Sequence, residues 1–405
     1  MPTISESQFH ETIIVGGGMS GIGCARRLME AGKPFLMITP EIGGRVRKSP
    51  DGTVNYGAYY VTADYRQTLP FVDLVEQVRL TDGWFQNGTD RYSLLSPRTL
   101  KHLPALTRFL SDLRTFRRHF NLMNESASDY SRRTLIEADP LLCRTYNQSA
   151  SDYLQQRGLE RLFEDFIDPL LWASFFVDPR QVSTFFVLAA SLPMIVPMYS
   201  FVFRNDKAIS GFEDAILYDT VADIVRDGDN HVVRTHAGRI FTCRNLVLAT
   251  PIDHSNRLLG ESAQPIRQGV DVSFVHLRGQ LKKQYQGRSR NFFSLAEAAV
   301  ISREVDGSYL YFYEQENISR YFESYSVITQ DRWHPALYFI GNQLIRTNPV
   351  PGVYIASDHD VPSIENAYLN GRYAAKLLLR ESGASAGDAA HGNYIDSMSF
   401  STANF

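Results

Sequence analysis

Cysteine is scarce: Cys24, Cys143 and Cys243 are the only three in 405 residues. They lie far apart with no C-x-x-C or zinc-ligand spacing, which argues against a disulfide scaffold and a zinc module. They read as reduced thiols of an intracellular protein, and no metal site is expected. An excess of one charge is also missing. The 41 Lys and Arg are balanced by 44 Asp and Glu, a formal net charge of −3, so nothing global points to nucleic acid or to an anionic membrane. The first ten residues hold neither a basic stretch nor an apolar one, so no secretory signal is read and a cytoplasmic location is expected. Long hydrophobic runs are limited to residues 185–203 (FFVLAASLPMIVPMYSFVF), uncharged and about as long as a membrane span. Pro193 and Pro197 would break a spanning helix twice and leave backbone groups that lipid cannot satisfy. The run is therefore expected as a buried helix ending near Leu192, then an apolar loop or short strand beside a substrate cavity. A peripheral membrane-docking patch is the alternative.

Aromatics are plentiful, with 25 Phe, 21 Tyr and 3 Trp; they suit a large apolar ligand cavity, and a packed core explains them nearly as well. The most specific pattern is Ile13-Ile14-Val15-Gly16-Gly17-Gly18-Met19-Ser20-Gly21. An apolar strand from Thr12 to Val15 runs into G-x-G-x-x-G, and a helix with Ile22, Ala25, Leu28 and Met29 on one face follows. Gly32 and Pro34 stop that helix, and Phe35 to Ile38 makes the next buried strand. Gly16 allows the tight turn, Gly18 lets the backbone approach a pyrophosphate, and Gly21 lets helix and strand pack closely. The diphosphate then sits on the free N–H groups where the helix opens at Met19 and Ser20. The expected fold is α/β, with a discontinuous Rossmann-like nucleotide-binding domain (residues 1–80, 204–263 and 340–381) and an inserted α+β substrate domain (81–203, mostly helical in pattern, and 264–339, strand-rich). Residues 382–405 read as a flexible tail.

A second glycine turn, Gly43-Gly44-Arg45, resembles the flavin signature of the superfamily of amine oxidases, protoporphyrinogen oxidases, phytoene-type desaturases and renalase. The resemblance continues in order along the chain. It implies that Gly43 and Gly44 approach the diphosphate and ribityl of FAD, with Arg45 fixing them. It implies that Gly57, Ala58 and Tyr59 pass the flavin ring, and that Val221 meets the adenine. Thr250 closes a strand similar to the family's V-x-A-x-P. The resemblance implies, too, that Trp333, in Arg332-Trp333-His334-Pro335-Ala336, walls the isoalloxazine, that Asp358 approaches the diphosphate or ribityl, and that Ser363 and Ile364 face the pyrimidine edge.

Three departures bear on chemistry. Thr39 stands where the family has a Glu for the adenosine ribose, leaving Thr39 or Glu41 to make that contact. Ser357 replaces a glycine. The lysine that amine oxidases place beside flavin N5 is absent, with Ser273 near its position, and Ser363 stands where an aromatic commonly sandwiches the amine. Cys243 has no covalent-flavin context, so FAD is expected to be noncovalent. Tyr59, Tyr60 and His334 are the catalytic candidates, although packing explains one of the tyrosines as well and a backbone-bonded histidine explains His334 better. His276 reads as structural, His359 as near the diphosphate or exposed, and the cluster Arg114, Arg117, Arg118 and His119 as a solvated helix face. With no second dinucleotide fingerprint, oxygen or another diffusible acceptor is expected to reoxidise the flavin. The expected function is an FAD-dependent oxidase or desaturase acting on a hydrophobic, aromatic or conjugated small molecule. Amine oxidation, redox-neutral isomerisation and non-catalytic FAD binding are the alternatives.

Overall fold

The computed structural model describes residues 8–58, 60–260, 263–295, 298–313 and 317–384. Strand β1 (Gln8–Gly18) leads directly into helix α1 (Met19–Glu30), and strand β2 (Leu36–Gly43) returns parallel to β1, pairing Ile13 with Leu36 and Val15 with Ile38. On the other flank β1 pairs in parallel with Ile240–Leu248, Ile14 opposite Val247. The short strand Val353–Ile355 lies parallel beyond it. Ile13, Ile14, Met37 and Val247 are fully buried, as strands covered on both faces require. The run around Asp-Gly-Asp-Asn forms the expected hairpin, Val221–Asp227 antiparallel to Asn230–Thr235, at the edge of the same seven-stranded sheet. The last helix, Ile364–Ala384, packs on α1 and runs beyond the Leu379 end read from the sequence. Residues 385–405 of the polar tail lie outside the described residues.

A second seven-stranded sheet is built mainly from the strand-rich segment, with Gln268–Leu281 between Phe322–Ile340 and Tyr309–Tyr313. Its far edge corrects the helical reading of the preceding segment. Gly83–Asn87 joins parallel to Arg290–Phe293 and turns back into Asp90–Tyr92, because Trp84, Phe85 and Tyr92 fit a half-buried pleat better than a helix. Helices cover this sheet. The longest, Leu103–Ser126, buries Phe109, Leu113, Phe116, Phe120 and Met123, one stripe at helical spacing. On its other side Arg114 and Arg118 are exposed, while Arg117 and His119 are held by Asp64 and Asp139 at 2.7 and 2.6 Å.

The apolar run resolves as the sequence suggested. Thr184–Ser191 is a buried helix whose N-terminus is capped by Ser183, the turn Leu192–Met194 follows, and Met198–Phe203 is a strand between Val61–Thr62 and Val72–Val78. Among the described residues no helix is long and apolar enough to cross a membrane.

Candidate functional site

One cavity of about 480 Å³ runs between the two sheets and has chemically different ends. The first end is backbone. At the close of β1, Gly16 takes φ +111°, and a Cβ there would lie 2.6 Å from the Ala249 carbonyl oxygen. Gly21 meets the back of the turn; a Cβ would stand 2.0 Å from the Gly16 oxygen and push α1 off the strand. Gly21 is therefore not part of the wall, whereas Gly16, Gly18, Met19 and Ser20 are. Helix α1 opens with no side-chain cap and no acid in its first turn, so its free N–H groups suit an anion. The second turn faces the first: a Cβ on Gly44 would come within 3.2 Å of the Gly18 Cα. Gly43 also lines the cavity, and between these turns the wall is polypeptide backbone.

Side-chain hydrogen bonds hold this end. The Thr39 hydroxyl accepts from the Gly17 N–H at 2.9 Å and donates to the Glu41 carbonyl at 2.7 Å. Thr39 thus closes the loop from within, and both Thr39 and Glu41 line the cavity. Arg45 donates from Nη1 to the Ala336 carbonyl at 3.0 Å and from Nη2 to the Asp358 carboxylate, joining the second glycine turn to two distant segments. Ser357 is absorbed by the turn into the last helix: its hydroxyl accepts from the His359 N–H at 3.3 Å and its carbonyl from Asn370 at 2.6 Å. Ser363 caps that helix, accepting from the Asn366 N–H at 3.0 Å. Val221, Thr250, Asp358, Ser363 and Ile364 all reach the wall.

The second end is aromatic. Trp333 lies against the backbone of Gly57, where a Cβ would meet its ring at 2.5 Å, and Ala58 lies beside them on the wall. Tyr56 stacks on Phe274 with ring centroids 4.9 Å apart and shares a hydrogen bond with His276 Nδ1 at 3.0 Å. The other nitrogen of His276 meets Ser308 at 2.8 Å, and burial lowers the imidazole pKa, so this histidine is a satisfied core group. Phe186 and Phe339 pack with centroids 4.2 Å apart on the same wall. Tyr60 lines the cavity and separates it from a smaller one of about 50 Å³, whose wall includes Arg290 and Glu304. Burial pushes the Glu304 carboxyl up to about 7.

Several positions read from the sequence lie elsewhere. His334 is no part of the wall: its side chain is 76% exposed and its Nδ1 meets Asp271 at 2.6 Å. Neighbours on a strand point to opposite faces, so the strand that turns Trp333 inward turns His334 out. By the same alternation Val272, not Ser273, faces the cavity. His359 is buried rather than exposed, and burial lowers its pKa to about 3. It does not line the cavity, and Tyr59 lies outside the described residues. Among the described residues the wall contains no lysine and none of the three cysteines. It does contain Tyr56, Tyr146, His254, Arg267 and Asp360, which sequence reasoning left without a role. Tyr56 adjoins the flavin-like Gly57-Ala58 stretch and was within reach of that motif; the other four carry no local signal.

Residues 14–74 match the family model of an NAD(P)-binding Rossmann-like domain. No curated protein sequence matches the chain. Solved structures agree over nearly its whole length. A putrescine oxidase variant superposes with a TM-score of 0.69 at 13% identity, covering 92% of this chain and 100% of its own. Cyclohexylamine oxidase from Brevibacterium oxydans IH-35A gives 0.64 at 14% identity, covering 92% and 99%. A candidate protoporphyrinogen oxidase from Exiguobacterium sp. 255-15 gives 0.63 at 14% identity, covering 93% and 100%. With the glycine turns, the paired sheets and the intervening cavity all in place, the chain has the two-sheet α/β fold of these oxidases.

Proposed function

We propose that the chain is an FAD-dependent oxidoreductase that oxidises an apolar, aromatic or conjugated small molecule, with oxygen or another diffusible acceptor completing the cycle. The observation that carries this reading is the joining, in one cavity, of two facing glycine turns at an uncapped helix N-terminus with an aromatic chamber. The residues present fit the group. Gly16 and Gly18 turn no Cβ toward a diphosphate, and Met19 and Ser20 offer it the free backbone N–H groups of the α1 N-terminus. Gly43, Gly44, Arg45 and Asp358 form the opposite side of that cradle. Val221 and Thr250 border the adenosine end, where Thr39 and Glu41 replace the expected carboxylate contact. Gly57, Ala58 and Trp333 would hold the flavin ring, and the helix opening at Ser363 and Ile364 would offer it backbone N–H groups. Among the described residues the wall holds no cysteine, and binding is proposed to be noncovalent.

Bound FAD would supply the hydride acceptor. The chain's own part is to exclude water, orient the substrate and hold charge. Phe186, Phe339 and Tyr60 supply apolar surface for an unsaturated substrate, and no lysine of the described residues reaches the wall, where Val272 is the residue its strand presents. That favours oxidase or desaturase chemistry over simple amine oxidation. Purified protein should be yellow and bleach anaerobically with a conjugated apolar substrate more readily than with putrescine or cyclohexylamine, forming peroxide on air exposure if oxygen is the acceptor. Colourless protein that takes up no FAD would refute the reading; faster bleaching by the amines would replace it with amine oxidation.

A further inference from the structure

Arg267 and Arg132 are both buried guanidinium groups, 5% and 3% exposed. Arg132 is satisfied: its three nitrogens donate to the side-chain oxygens of Asn370, Asn124 and Asn366 at 3.1, 2.9 and 2.5 Å. Arg267 is not. Only its Nη2 is engaged, with the Tyr146 hydroxyl and, at 3.0 Å, the Asp360 carbonyl. Its Nε is buried without a partner among the described residues. Burial lowers its pKa to about 10 against the favourable charges of Asp360 and Asp358, yet no described carboxylate forms an ion pair with it. The Asp360 carboxyl accepts instead from the Ile345 N–H at 3.1 Å, and burial raises it to about 6. Arg267, unlike Arg132, belongs to the cavity wall. A buried cation left short of acceptors is costly unless something else completes it.

Its neighbours indicate what that is. The guanidinium carbon lies 5.3 Å from the Tyr146 ring centroid, and Tyr146 packs edge-on against Phe185 at 5.4 Å. Arg267 therefore stands among aromatic rings, while a diphosphate is already provided for by the glycine turns. We propose that Arg267 is the anion-recognising residue of the substrate chamber and that the substrate carries a carboxylate on its apolar or aromatic body. Guanidinium and carboxylate are complementary in shape and charge, and the surrounding rings exclude the water that would weaken the pair. The inference rests on the flavoenzyme reading of this cavity.

Benzoate and its uncharged counterpart benzamide are the probes, titrated into the FAD-loaded protein and followed by flavin absorbance and by calorimetry. Benzoate should bind at least about tenfold more tightly than benzamide. Arg267→Met should abolish that preference, lowering benzoate affinity on the order of a hundredfold with flavin content unchanged. Its melting temperature should hold or rise, because an incompletely paired buried charge has gone. Arg267→Lys keeps charge without the planar fork; it should bind benzoate with intermediate affinity and serves if the Met variant does not fold. Equal binding of the two probes to the unaltered protein would overturn the proposal, as would undiminished benzoate binding by Arg267→Met. A folded Arg267→Met protein without flavin would assign the anion to the cofactor and overturn it equally. Failure of the unaltered protein to take up FAD would refute the flavoenzyme reading instead, while calorimetry with benzoate would still decide whether Arg267 binds a carboxylate.

Discussion

The two ends of the cavity are made by opposite means. The glycine end uses backbone from short contiguous stretches, residues 16–20 and 43–45, where shape depends on the absence of side chains. The aromatic end uses side chains from elements hundreds of residues apart, including Tyr56, Tyr146, Phe186, Arg267, Trp333 and Phe339. At Gly16, Gly17 and Gly44 an added Cβ would press on main chain that cannot rotate away. A side-chain chamber can be recut by substitution with the fold intact. One end thus has its shape set by main chain, and the other by side chains that substitution can change.

Gly21→Ala should break the comparison most severely. With the new Cβ at 2.0 Å from the Gly16 oxygen, α1 must move, and unfolding titration should register a loss of about 3 kcal/mol or more together with loss of bound flavin. A variant that keeps both would mean that the backbone end is softer than its geometry implies. Arg45→Ala comes next. It removes the link to Ala336 and Asp358, and FAD affinity in an equilibrium titration should fall on the order of a hundredfold, with the aromatic chamber still formed.

The aromatic side offers a pH-dependent counterpart. Glu304, in the smaller cavity bordering Tyr60, has its carboxyl raised from an ordinary 4.5 to about 7. Between those values the folded chain binds more protons than the unfolded one, so stability falls as pH rises through that window. Glu304→Gln should flatten the loss, by on the order of 2 kcal/mol between about pH 5 and about pH 8 in chemical denaturation. A steeper dependence in the variant would contradict the assignment. The smallest effect is expected at Thr39→Val, which leaves the Gly17 N–H without its acceptor and should cost about 1 kcal/mol, with a modest weakening of FAD binding. A tighter-binding variant would show that the hydroxyl strains the turn instead of closing it.

These contrasts track what could be read in advance. Strand, turn and helix from Thr12 to Leu28 were legible because each local choice, apolar run, glycine and amphipathic stripe, agrees with the others. The hairpin at Val221–Asp227 and Asn230–Thr235 was legible from its turn residues. Residues 83–92 were not, since a short aromatic-containing segment becomes a strand only when Arg290–Phe293 lies beside it. His334 was misplaced because a motif gives order along the chain but not the face of the pleat, and Trp333 had already taken the inward one. The closed hydrogen bonding of Thr39 was also out of reach, because Gly17, its donor, lies 22 residues away.

The sequence by itself therefore determined the nucleotide-binding turns, the flanking parallel strands and the kind of ligand that a glycine-walled helix N-terminus can hold. All of these depend on residues near one another in the chain. Only the tertiary structure decided which aromatics share a chamber, which histidines are excluded from it and which buried arginine lacks a full set of partners. Those facts depend on where distant elements meet, and on which face each strand presents when they do.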